Sequence, residues 1–112
     1  MTMTSENATT GAEEIQPTRV ALIGIVVENS QAVPKMNEIL HEYAHYVIGR
    51  MGIPYEKRGV SIISVAVDAP ADVISALSGK IGRLEGISTK TIYSKLPDSG
   101  AAAKQKLSET KT

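Results

Sequence analysis

Apolar and polar positions change period several times along the chain, and each change marks an element. Arg19 to Glu28 reads as a strand, with Val, Leu and Ile on both sides of Gly24. Ser30 is placed to cap a helix, and Pro34 fits only the first turn of one. Val33, Met36, Leu40, Tyr43 and Val47 then recur every three or four residues, which makes one helical stripe. Tyr46 to Pro54 predicts a second strand, and Tyr55 to Gly59 a polar hairpin-like turn. Val60 to Asp68 alternates as a third strand. Pro70 opens a second helix, with Asp72 beside its positive dipole end. Val73, Ile74, Leu77, Ile81 and Leu84 are its stripe, and Gly82 and Gly86 are candidate stops. Ile87 to Lys95 is a last, more polar strand.

The order β-α-β-β-α-β predicts an α+β, ferredoxin-like fold: a four-stranded antiparallel sheet with two helices on one face. In such a layout a strand with one wet face should alternate. The first strand does not, because Val20, Leu22 and Val26 are apolar on one side and Ala21, Ile23, Ile25 and Val27 on the other. The third strand puts Ile62 on one side and Ile63, Val65 and Val67 on the other. Two helices cover one face only, so a second apolar face needs a cover, and a second copy of the chain is the simplest. Ile23, Ile25, Val27, Ile63 and Val65 are the expected self-association face of a homodimer or tetramer.

Composition narrows the function classes. The 112 residues carry twelve basic and twelve acidic side chains, for a net charge of zero. That balance argues against a generic electrostatic grip on nucleic acid or on an anionic membrane. With no Cys there is no disulfide, thiolate metal site or cysteine nucleophile. The apolar run Val20 to Val27 is far short of the ~20 residues a membrane span needs. No secretory signal pattern opens the chain, so a cytoplasmic protein is expected. Residues 1–17 carry three acids and no base and have little to bury, which predicts a disordered acidic tail. Residues 97–112 open on Pro97-Asp98-Ser99-Gly100 and predict a flexible C-terminal tail, leaving 18–96 as the folded domain.

Few motifs suggest chemistry. His41-Glu42-Tyr43-Ala44-His45 matches H-E-x-x-H, in which two His one helical turn apart share a metal and Glu42 acts as base. No further His exists to complete a protease zinc site, so His41 and His45 stand as a candidate pair for an accessory metal, against the plainer reading of two solvated side chains at a helix end. Gly79-Lys80-Ile81-Gly82 matches the G-x-x-G loop of some RNA binders, but Ile81 is needed in the buried stripe. Arg50, Met51, Gly52 and Tyr55 are candidate ligand or interface residues: Gly49 and Gly52 allow close backbone approach or a bulge, and Arg50 suits an anionic ligand or a partner carboxylate. No catalytic constellation is found and no cofactor is expected.

Segments across residues 19–95 resemble the iron-only hydrogenase system regulator family. They are Arg19 to Asn29, Asn37-Glu38-Ile39-Leu40-His41-Glu42-Tyr43, Ile48-Gly49-Arg50-Met51-Gly52-Ile53-Pro54-Tyr55, Gly59 to Val65, Ala69 to Lys80 and Lys90 to Lys95. The resemblance implies a small bacterial protein, often encoded near [FeFe]-hydrogenase maturation genes. Its fold would be similar to ACT domains and to the C-terminal domain of the nickel-responsive regulator. Both relatives form dimers or larger assemblies and bind small ligands or metal at subunit interfaces. The resemblance therefore implies a non-enzymatic, homo-oligomeric regulator with a small effector or a hydrogenase-system protein as partner. The DNA-reading segment of the nickel-responsive regulator has no counterpart in the acidic residues 1–17, so autonomous DNA binding is not expected. Its His-x-His pair and Cys are also missing, since the comparable strand reads Gly49-Arg50-Met51-Gly52-Ile53.

Overall fold

The first strand, β1 (Arg19–Val27), forms where β-branched residues dominate, and Asn29 follows two residues after its end. The computed structural model describes residues 16–97, so the two expected tails lie almost wholly outside the described residues. Asn29, rather than Ser30, provides the cap: its Oδ1 accepts from the Gln31 amide at 3.1 Å, over a short 3₁₀ turn at Ser30–Ala32. Helix α1 (Val33–Glu42) follows with Pro34 in its first turn, where no intrahelical donor is lost. A second 3₁₀ turn, Ala44–Tyr46, leads into β2 (Val47–Tyr55). The turn at Glu56–Arg58 closes on Gly59 in the left-handed region and starts β3 (Val60–Ala69). Pro70 precedes α2 (Ala71–Gly82), and β4 (Ile87–Tyr93) completes the chain order β-α-β-β-α-β.

The strands align in the order β2-β3-β1-β4, each antiparallel to its neighbours, which is the expected ferredoxin-like sheet. Both helices lie on one face. Met36 and Leu40 from α1, and Ile74, Leu77 and Ile81 from α2, close over Ile23, Ile25, Val65 and Val67. Among the described residues no helix is long and apolar enough to cross a membrane.

The core corrects one expectation. Ile23, Ile25, Val27, Ile63 and Val65 do not form an outward self-association face; they are buried beneath the helices of their own chain. β1 and β3 are apolar on both sides, as expected, but the two sides are exchanged. The helices take the side on which β1 is apolar at every position, Ala21 through Val27. The side interrupted by Gly24, Ser64 and Asp68 is left outward.

A polar link ties the ends of the helices together. The Lys80 ammonium lies 3.6 Å from the Glu42 carboxylate and over the Tyr43 ring at 5.2 Å. The Tyr43 hydroxyl, and then the Glu42 charge, hold Lys80 above its ordinary value of 10.5. A lysine raised on folding stabilises the native state below its unfolded value, and this contribution fades as pH climbs through the folded one. The urea midpoints of the wild type and Lys80→Met are therefore expected to differ slightly at neutral pH, the pair being exposed, and to converge above pH 10.5. A gap that widens with alkalinity would contradict the link.

Candidate functional site

Alternation along β2 decides what its side chains do. Arg50 and Gly52 lie opposite Val65 and Ile63, on the helix side of the sheet. Met51 and Tyr55 lie opposite Ser64 and Val60, on the outer side. The four candidate residues therefore belong to two surfaces. The anticipated bulge sits at Val47–Gly49, where the pairing shifts by one residue, whereas Gly52 is in regular register.

The helices cover the rest of the sheet and leave β2 exposed along almost its whole length. A cleft runs between α1 and this overhanging strand. One part, about 310 Å³, is lined by Asn37, Leu40 and His41 of α1, by Ala44, and by Val47 and Arg50. The neighbouring part, about 280 Å³, reaches the apolar Val33, Met36 and Ile63 past Arg50 and Gly52. Arg50 borders both, and its Nη1 donates to Asn37 Oδ1 at 3.2 Å. Among the described residues no carboxylate pairs with Arg50: on α1, Glu38 meets Lys35 at 3.3 Å and Glu42 meets Lys80. A wider depression of about 500 Å³ at the β2–β3 turn contains both Glu28 and Arg58, so it favours neither sign of ligand charge.

The H-E-x-x-H pair is divided by the end of the helix. His41 is on the last turn of α1, Tyr43 leaves helical geometry, and His45 is on the 3₁₀ turn with its ring centroid 4.3 Å from that of Tyr46, the two planes tilted by 33°. Among the described residues no group of three or more His, Asp or Glu side chains gathers to hold a metal. Gly79 to Gly82 is the last turn of α2 rather than a loop, and Ile81 is fully buried.

The second surface is the outer face of the sheet. The pairing sets three rows across the strands: Gly49, Ala66, Leu22 and Ile92; then Met51, Ser64, Gly24 and Lys90; then Ile53, Ile62, Val26 and Ser88. Met51 is 70% exposed and Ile92 68%, and Ile53, Ile62, Leu22 and Val26 are also open to solvent. Asn37, Ile48, Ile53 and Ile92 were not among the residues anticipated as functional. The alternation of Met51, Ile53 and Tyr55 was the available signal for the β2 part of this face, obscured by the nearby glycines.

The chain is similar to known proteins over this same folded region. Residues 19–91 match the TM1266-like family model, described as "Iron-only hydrogenase system regulator, putative". No curated protein matches. Among solved structures, the uncharacterized protein TM1266 from Thermotoga maritima is 33% identical, with a TM-score of 0.67. That alignment covers 70% of this chain and 99% of the Thermotoga chain.

Proposed function

The chain belongs to the TM1266-like family of iron-only hydrogenase system regulators, and from that membership we propose that it is a non-enzymatic, cytoplasmic regulatory module of ACT-like build that works as a homo-oligomer. Its role is to answer a small ligand or to dock a protein of the hydrogenase system. The observation that carries the self-association is the outer sheet face, to which all four strands contribute exposed apolar side chains (Leu22 and Val26, Met51 and Ile53, Ile62, and Ile92) and which the helices leave uncovered.

A second copy is the occupant that fits. Strands of seven to ten residues, at about 3.4 Å per residue and about 4.8 Å between neighbours, present roughly 500 Å² per copy. Two such faces bury on the order of 1,000 Å², the area at which specific interfaces begin. The face carries one base, Lys90, and one acid, Asp68, in the strands, so two copies meet without an excess of like charge. The chain's own remaining residues are poor cover: outside 16–97 the large apolar side chains are Met1, Met3, Ile15 and Leu107.

Light scattering on the wild type at micromolar concentration is expected to give a multiple of the chain mass. Ile53 and Ile62 are cross-strand neighbours on the outer face. An Ile53→Lys/Ile62→Lys variant, keeping its circular dichroism spectrum, is expected to weaken association by about 100-fold or more, because each ammonium would lose water without gaining a partner. A monomeric wild type, or a double variant that assembles unchanged, would overturn the reading.

A further inference from the structure

Beyond self-association, we infer that the cleft between α1 and β2 is a binding site for a small organic anion, a monocarboxylate with a short hydrocarbon tail, anchored by Arg50. Three features point to this ligand chemistry. The Arg50 guanidinium has a neutral amide, Asn37 Oδ1 at 3.2 Å, as its side-chain hydrogen-bond partner, and among the described residues no carboxylate neutralises it. A guanidinium has five donors in a planar fork, and one Asn bond leaves most of them available for a carboxylate. The imidazole of His41 lines the same recess and adds a second polar group of the kind that can donate to an oxygen.

The third feature is the apolar recess on the other side of Arg50. Gly52 has no side chain to fill it: a Cβ there would come within 3.6 Å of Ile63 Cγ1, so the missing group leaves a way in towards Met36 and Ile63. Each part of the cleft, about 310 Å³ and about 280 Å³, is of a size to take a few heavy atoms. One cation between a polar and an apolar recess selects a ligand that is charged at one end and oily at the other. An inorganic anion would use only the first half. The site is built within one chain, so it holds whether or not copies associate.

The test is a titration of the isotopically labelled full chain, followed by amide resonances, with isovalerate, its neutral amide isovaleramide, and inorganic phosphate as probes. Isovalerate is expected to give saturable shifts at residues 37–44 and 47–52, with isovaleramide at least about tenfold weaker. Arg50→Gln should weaken isovalerate by a similar factor, and Arg50→Lys by less. Arg50 is exposed on an edge strand, so an unchanged spectrum away from the cleft is expected to show that the variant folds. Gly52→Val should weaken isovalerate but leave any phosphate shifts as they were. The inference is overturned by equal binding of acid and amide, by an Arg50→Gln variant that binds as well as the wild type, by the absence of saturable shifts, or by phosphate binding without isovalerate. Light scattering on the same samples reads the self-association separately, so failure of one reading leaves the other visible.

Discussion

Gly86→Ala is expected to destabilise the fold by about 3 kcal/mol or more, through two costs that act together. Gly86 adopts φ +80, in the left-handed region, where an L side chain costs roughly 1–2 kcal/mol. A Cβ built there falls within 3.0 Å of the Asn29 Cβ and 3.2 Å from the Asn29 amide nitrogen. Asn29 is not free to give way, because its side chain caps the turn before α1 and Gly86 O accepts from the neighbouring Glu28 amide at 2.7 Å. Gly59→Ala is the control. Gly59 has a similar φ of +66 but nothing within 4 Å of its Cβ position, so only the backbone term, about 1 kcal/mol, applies. Denaturant midpoints for the two variants measure the difference. Equal losses would mean that Gly86 is not pressed against Asn29. For a domain of this size, with about half of its stability at stake, the Gly86 variant should lose a large part of its folded population near physiological temperature.

Neighbouring residues of β1 are expected to divide cleanly between stability and assembly. Ile23 is 0% exposed beneath both helices, and Ile23→Ala should cost about 3–4 kcal/mol through lost burial and the cavity left behind. Leu22, one position earlier and 41% exposed on the outer face, has less to lose within the chain, and Leu22→Ala should cost under about 1 kcal/mol. Its effect should appear instead as weaker self-association. Chemical denaturation and light scattering on both variants give the full comparison. A Leu22→Ala loss as large as that of Ile23→Ala would place the outer face inside the core of the monomer, against the observed burial.

This contrast also shows where the sequence was legible. Periods of two and of three to four residues located every strand and both helices to within a few positions, because the stripes of α1 and α2 and the runs in β1 and β3 are long. The excess of apolar surface on the sheet was legible too, since it needs only a count along each strand. Which side the helices would choose was not, because both sides of β1 offered Val, Leu and Ile. The choice depends on how Gly24, Ser64 and Asp68 line up across strands, and pairing register is a tertiary fact. The same holds for the site. Arg50 stood out as a cation on a strand, but Asn37 lies thirteen residues earlier with nothing to announce it until α1 is laid beside β2. The His41–His45 spacing is a local pattern, and it lost its meaning when the helix stopped at Glu42.

The overhang of β2 also separates what can move from what must not. Its backbone is held by a single ladder to β3, and its two sides bury little, whereas β1 and β3 have the helices pressed against them. Loosening that margin would release few interior contacts, so the free energy of such an excursion should be far below that of global unfolding. Among the described strands, the one that carries both Arg50 and the outward Met51 is thus the one whose order is most cheaply altered. A guest on its inner side would quieten its fluctuations, and through the same peptide backbone it would stiffen the residues displayed on the other side.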